Sequence, residues 1–378
     1  MTVPLSILDL APLVSGGDAR DALRRTLDLA KHADRFGYHR YWVAEHHLTP
    51  GVASSQPALL LGQIAAVTER IRLGSGAVQS GLLTPLAIVE QFGLLDALYP
   101  GRFDLGIGRS AQRRSSALTA PPDEDPGEPR VVDGLLIPRH FSFAPLFRSA
   151  RSKLFARLLH QPDATPAGLD QVLDDIETLL AGPYSDEHGN QAQAVPGEGA
   201  DPQIWILGSS GGESARVAGE RGLPFAANYH VAPAKVLEAA DAYRAAFRPS
   251  KVRTEPWLMV SADVVVAEDE ATARRLAAPY GLWVRSVRTG AGAIPYPSPE
   301  EALAAPWSDA DRDLVADRVD TQFVGTPETV VERLETLRRV TGADELLVTT
   351  ITHDHADRVR SFELLAEHWP SGRRPSGR

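Results

Sequence analysis

The chain has 378 residues, 43% of them hydrophobic and 23% charged, enough for a large buried core, which excludes a disordered, fibrous or disulfide-stapled protein. With 39 basic against 49 acidic residues the net charge is -10, which argues against a general polyanion-binding surface. The absence of cysteine removes disulfides, thiolate nucleophiles and Cys-ligated zinc or iron–sulfur centres.

Short apolar runs alternate with amphipathic stretches from the start. Leu5–Leu10 reads as a strand, and Asp18 caps a helix with apolar positions at Leu23, Leu27, Ala30 and Ala33 that Gly37 closes. Tyr41–Glu45 is a second strand, followed by a helix over Gln56–Thr68. Ile71–Val78 is a third strand, and a helix opened by Pro85 runs to Leu98. Arg102–Ile107 is a fourth. From 108 to 168 the alternation breaks in a stretch rich in Pro, Arg and Ser, including the run 121–126, a length that marks a functional or mobile segment. It resumes with a helix over Asp170–Leu180, strand Gln203–Leu207, helix Glu213–Glu220, strand Pro224–Ala227, helix Pro233–Ala246 and strand Trp257–Val266. A helix begins near Asp269, and a second irregular stretch spans 281–326. Helix Pro327–Val340, strand Glu345–Thr349 and a helix to Glu367 finish the series.

Eight strands each followed by helix predict an α/β protein with a closed parallel sheet, a (β/α)8 TIM barrel. The expected organisation is a single domain over 1–378 with insertions after strand 4 (108–168) and after strand 7 (281–326). No stretch approaches the ~18 unbroken apolar residues of a membrane span. Met1-Thr2-Val3-Pro4 lacks the charged and apolar regions of a signal peptide. A cytoplasmic protein with neither membrane nor nucleic-acid partner is expected.

The chemistry of such a barrel sits at the C-terminal ends of its strands. Those ends carry Asp9; Glu45, His46 and His47; Gly76, Ala77 and Gln79; Gly108 and Arg109; Gly208–Gly211; and Asn228, Tyr229 and His230, with His353 and His355 just past the eighth strand. Neighbours on a strand face opposite ways, so one of His46 and His47 can face the barrel mouth and the other the helices. That argues against a two-histidine metal site there. An imidazole at the mouth suits proton transfer, and the alternative is a hydrogen-bonded structural histidine. His353-Asp354-His355 has ligand-like spacing but no obvious third ligand, and reads as a solvated helix start; no metal is expected.

Gly208-Ser209-Ser210-Gly211-Gly212 follows a strand and opens a helix, the arrangement that offers backbone N–H groups to an anion. The same residues fit G-x-S-x-G with Ser210 as a nucleophile, and Asp263 with His353 could complete a hydrolase triad by chain order alone. Gly74-Ser75-Gly76 lacks the third glycine of a dinucleotide fingerprint, where Gln79 stands. Arg109 suits either a phosphate or a surface ion pair, whereas Arg113 and Arg114 read as solvated.

Arg40-Tyr41-Trp42-Val43-Ala44-Glu45-His46-His47, Ile71–Gly76, Pro100-Gly101-Arg102-Phe103-Asp104-Leu105-Gly106-Ile107-Gly108-Arg109 and Trp205–Ser210, with Gly222-Leu223-Pro224 following, resemble the bacterial luciferase-like flavin monooxygenases in content and order. The resemblance implies a usually dimeric barrel that binds reduced FMN or, in one branch, the deazaflavin F420. It puts the proton-handling role on His46. It implies a cis peptide near Gly76-Ala77 against the flavin ring, with Asp9 and Gln79 approaching the ring. Arg109, Ser209, Ser210, Gly211 and Gly212 would hold the phosphate, with Ser214 close by. Luciferase carries a reactive cysteine where this chain has Gly108, which moves the expectation from light emission to oxygen transfer. O2 would add to the reduced flavin to give a C4a-peroxyflavin, and one oxygen atom would pass to a small organic substrate by hydroxylation, epoxidation or Baeyer–Villiger insertion, in secondary metabolism. With no nicotinamide fingerprint, a separate NAD(P)H flavin reductase is the implied partner. An F420-dependent dehydrogenase, a serine hydrolase using Ser210 and a non-catalytic flavin-binding protein stand as alternatives.

Overall fold

Eight short strands lie side by side in parallel: β1 Leu5–Asp9, β2 Arg40–Val43, β3 Arg72–Ser75, β4 Phe103–Gly108, β5 Gln203–Gly208, β6 Phe225–Asn228, β7 Leu258–Val266 and β8 Glu345–Thr349. Each pairs with the next, and β8 pairs back onto β1, with Ser6 opposite Leu347, so the sheet closes into the expected (β/α)8 barrel. The computed structural model describes residues 3–109, 127–159 and 167–370. Arg113, Arg114 and the run 121–126 fall outside them.

The outer layer comprises α1 Ala19–Phe36, α2 Pro57–Ala65, α3 Pro85–Leu98, α4 Leu169–Ala181, α5 Glu213–Glu220, α6 Val236–Ala246, α7 Pro327–Thr341 and α8 His355–His368. Asp18 caps α1 by accepting from the Asp21 N–H, and Gly37 ends it in the left-handed region (φ 82°), as expected. The buried face of α1 is offset from the predicted stripe. Leu23 is exposed, and Ala22, Thr26, Leu29, Ala30 and Ala33 face the strands. Thr26 is drawn inward because its hydroxyl donates to the Asp9 carboxylate at 2.7 Å.

Alternation along the strands sorts the barrel interior into layers. At the N-terminal end Ser6, Arg40, Arg72, Asp104, Gln203 and Glu345 form a polar plug. In it Arg40 donates to Glu345 at 3.0 Å and to Asp104 at 2.7 Å, and Arg72 to Asp104 at 2.6 Å. Above it Leu8, Trp42, Trp205, Met259 and Leu347 form an apolar layer, with the two indoles packed edge to face at 5.2 Å. Gly74 and Gly106 make room for this layer: a Cβ on Gly74 would stand 2.5 Å from Trp42 Nε1, and one on Gly106 2.0 Å from the Ser75 carbonyl oxygen. The third layer, two residues on, opens to the site.

The third strand is shorter than predicted. It stops at Ser75, the peptide Gly76-Ala77 is cis, and Val78–Gln79 forms a separate two-residue pairing with the end of β4. The two stretches read as irregular carry secondary structure. The first holds a hairpin, Arg130–Val132 with Leu135–Ile137, and helices Ala144–Phe147 and Ala150–Leu159. The second holds helices Pro279–Arg288, Pro299–Ala304 and Asp309–Val319, two of them opened by serine capping boxes, and a strand Phe323–Gly325 that extends the end of β7. Mixed sequence hid these helices: Asp309–Val319 carries charges around most of its circumference. Among the described residues no helix is long and apolar enough to cross a membrane.

Candidate active site

The third layer of the barrel opens into a cavity of about 470 Å³, within the roughly 300–1,000 Å³ range of ligand sites. Its floor and near wall come from β1, β2 and the break after β3: Leu8, Leu10, Ala44, Glu45, His46, His47, Gly76, Ala77 and Gln79. The opposite wall comes from the ends of β4 to β6, with Gly108, Arg109, Ser209, Ser210, Gly212, Ser214, Asn228 and His230. Phe143 and Phe155 of the first insertion and Trp283, Arg288 and Arg318 of the second complete it.

His46 and His47 both line this cavity, against the expectation of opposite faces. The reason is local. β2 ends at Val43, so strand alternation no longer holds where the histidines sit. His46 is fixed by its backbone, which donates to the Ser54 carbonyl at 2.8 Å. The His47 ring lies 2.7 Å from Glu45 Oε1, and the other Glu45 oxygen accepts the Gln79 backbone N–H at 3.0 Å. Gln79 Nε2 donates to the Glu45 carbonyl at 2.9 Å. Glu45 thus ties the segment after β2 to the segment after the cis peptide. The sequence reading placed Glu45 at a strand end without a role; its place beside the two histidines was the available signal.

At the other end Arg109 sits against the start of α5. Its Nε donates to Ser214 Oγ at 3.2 Å, and its Nη1 pairs with Glu213. Ser209, Ser210 and Gly212 lie beside it on the loop that opens the helix. Gly211 is not part of the cavity wall: a Cβ there would meet Glu238 and Ala242 at 3.0–3.1 Å, so its role is close packing of the loop on α6, and its N–H goes to Glu238.

Asp9 is likewise placed away from the cavity. Leu8 and Leu10 face inward, so Asp9 faces the helices, and parity along β1 carried that signal. Its fully buried carboxylate accepts from Tyr41 (2.5 Å), Thr26 and the Ala11 N–H and pairs with Arg358 of α8 at 2.7 Å. Burial pushes its pKa up, but the Arg358 charge and these hydrogen bonds prevail and hold it below the ordinary value.

Two residues of the second insertion were missed because that stretch read as irregular. Arg288 forms a two-pronged pair with Asp317, Nη2 to Oδ2 at 2.7 Å, and lies over the Phe141 ring. Arg318 bonds Tyr280 and pairs with Asp263 at 3.3 Å. Burial opposes the Arg318 charge, but the Tyr280 and Asp263 oxygens outweigh it and raise its pKa. Just past β6, burial together with the nearby Arg318 and His46 pulls the His230 imidazole down to about 3. The hydrolase residues do not assemble. Asp263 is held by Tyr280 and Arg318, while His353 lies 3.2 Å from Ser15 Oγ. His355 goes to Asp28 at 2.9 Å, so the His353/His355 pair turns to separate partners. Among the described residues no His, Cys, Asp or Glu cluster could hold a metal.

The donor set suits a phosphorylated flavin on its own terms. One end of the cavity offers a guanidinium, three hydroxyls and a helix N-terminus to a dianion. The other is lined by backbone around Gly76-Ala77, where a Cβ on Gly76 would strike Leu8 at 2.7 Å and one on Gly108 would stand 3.2 Å from Ala77. The model of the luciferase-like monooxygenase family matches residues 4–127 and 151–345. A luciferase-like monooxygenase of Escherichia coli (strain K12) is 34% identical over 367 residues, covering 96% of each chain. The crystal structure of apo-MsnO8 is similar with a TM-score of 0.76 and 32% identity, covering 97% of this chain and 98% of that one. The oxygenating constituent of 3,6-diketocamphane monooxygenase from Pseudomonas putida, solved with FMN, shares the fold with a TM-score of 0.65 at 21% identity, over 97% of this chain and 98% of its own. The chain therefore belongs to the luciferase-like monooxygenase family.

Proposed function

We propose that this protein is an FMN-dependent oxygenase that takes reduced FMN from a separate NAD(P)H flavin reductase and uses O2 to oxygenate a small organic substrate. The observation that carries this reading is the polarity of one cavity: Arg109, Ser209, Ser210, Gly212 and Ser214 gather at a helix N-terminus, while Gly76-Ala77, Gln79 and His46 line the far side. When bound, the reduced flavin supplies electrons to O2. The chain's own residues anchor, orient and shield it. Arg109 and the serine hydroxyls hold the phosphate, with Glu213 yielding its place on the guanidinium. Glu45 fixes the segments that carry His47 and Gln79, and His46 moves a proton at the reacting end. Phe155 and Trp283 keep water from that end, and Phe143, beside Ser209 and Ser210, covers the phosphate end. The assembly we propose is a cytoplasmic homodimer of single-domain chains acting in secondary metabolism.

Titration of the purified protein with FMN, reduced FMN and F420, followed by O2 uptake with a flavin reductase, tests the proposal. The expected result is binding of reduced FMN and uptake of O2 only when it is supplied. Preferential binding of F420 and its reduction by an alcohol would make the protein a dehydrogenase. Ester cleavage without flavin would assign the chemistry to Ser210. Flavin binding without O2-dependent turnover would leave a carrier.

A further inference from the structure

Two polar side chains on the cavity wall have no part in anchoring the phosphate or in the proton transfer assigned to His46. They are His230, just past β6, and Arg318, from helix Asp309–Val319. His230 Nδ1 lies 2.5 Å from Ser261 Oγ, and that oxygen lies 3.3 Å from the Ala227 carbonyl oxygen. A serine hydroxyl has one proton, and a carbonyl only accepts. Both contacts become hydrogen bonds when Ser261 donates to Ala227 and accepts from His230 Nδ1–H. This tautomer leaves a lone pair on Nε2, an atom with no protein partner among the described residues.

Arg318 uses Nε and Nη2 on Tyr280, at 3.1 and 2.6 Å, and Nη2 also on Asp263. Its Nη1 has no protein partner among the described residues. Burial first, and then the nearby charges of Arg318 and His46, hold the His230 imidazole neutral at physiological pH. The cavity therefore presents a fixed acceptor and a fixed cationic donor together, among Phe143, Phe155 and Trp283. Carboxylate, sulfonate and carbonyl oxygens only accept, and would face the Nε2 lone pair. A hydroxyl satisfies both groups at once.

We propose that His230 and Arg318 select a substrate bearing a hydroxyl on an aromatic ring, the hydroxyl donating to His230 Nε2 and accepting from Arg318 Nη1. This rests on the oxygenase reading and supplies its substrate class. The aromatic walls clasp the ring, and the hydroxyl sets which edge faces the reacting end.

The probes are 1-naphthol, 1-methylnaphthalene and 1-naphthoate, titrated into the FMN-loaded protein. The expected result is that naphthol binds about tenfold more tightly than methylnaphthalene, the scale of a net hydrogen bond to a charged partner, and naphthoate no more tightly than methylnaphthalene. In His230→Phe the naphthol preference falls to within about twofold. Nitrogen NMR of the wild-type histidines should find the His230 proton on Nδ1. Absence of a naphthol preference in the wild type, its persistence in His230→Phe, or tighter binding of naphthoate overturns the proposal. If His230→Phe fails to fold, Ser261→Ala serves: it frees the ring to move its proton to Nε2, and the naphthol preference must shrink. FMN binding is measured first. Its failure overturns the flavin reading alone, because the naphthol preference is then read on the protein without FMN.

Discussion

Arg109 and His46 carry the two ends of the proposed site, and each can be separated from its neighbours by substitution. Arg109→Ala removes a charged hydrogen-bond donor from the phosphate end, so FMN affinity should fall about 10- to 100-fold while riboflavin, which lacks the phosphate, loses little. Comparative fluorescence titration measures both, and an equal loss for the two ligands removes Arg109 from the phosphate site. His46→Ala should cut substrate oxygenation by about 10²- to 10⁴-fold, the range of a positioned acid–base group, with FMN still bound. An unchanged product yield would leave His46 as a wall residue. Both positions were legible from the strand-end rule. Asp9 shows its limit: the residue stands at a strand end, but one step of alternation turns it to the helices.

At the scale of elements, the Asp9–Arg358 pair joins β1 to α8 and, through Thr26 and Tyr41, to α1 and β2. Both side chains are buried, so Arg358→Met leaves a carboxylate without its countercharge and should cost about 3–5 kcal/mol, read as a lower denaturation midpoint. The pH dependence has a definite sign. The folded pKa of Asp9 lies below its unfolded value of 3.8, so its contribution is fully present above about pH 4 and is lost as pH falls through the folded value. The stability gap between wild type and Asp9→Asn should therefore narrow in acid. A gap that is constant from pH 7 to pH 3 would show that the carboxylate is not held in its charged form. Gly106 does a different task between β3, β4 and β5. A Cβ there meets the Ser75 oxygen at 2.0 Å and Leu207 at 2.9 Å, so Gly106→Ala should lose about 1–3 kcal/mol or more. Retained thermal stability would mean that the backbone can shift there at little cost.

The whole molecule decides what encloses the cavity. Phe143 and Phe155 come from the segment after β4, and Trp283, Arg288 and Arg318 from the segment after β7, far apart in the chain. Opening that roof with Phe155→Ala should admit water and uncouple the reaction: O2 uptake continues, and the share that appears as oxygenated product falls by at least about tenfold. Coupling that stays at the wild-type level would show that Phe155 does not shield the reacting end.

The barrel is legible in the sequence, because short apolar runs alternating with amphipathic helices and their caps are local signals that most βα units carry within about thirty residues. Asp18, Gly37, Pro85 and Pro327 stand where those rules put them. Gly76, Ala77 and Arg109 stand at strand ends for the same reason. The rest depends on contacts between distant parts of the chain. Barrel closure turned Asp9 and Gly211 into packing residues, and the end of β2 at Val43 brought His46 and His47 into one cavity. Closure also brought His230 and Arg318 together across nearly ninety residues of chain. Their meeting depends on how helix Asp309–Val319 packs on helix Pro279–Arg288 through Arg288–Asp317 and Arg318–Tyr280. That packing is a long-range balance of buried charge and hydrogen bonding, which no local periodicity records.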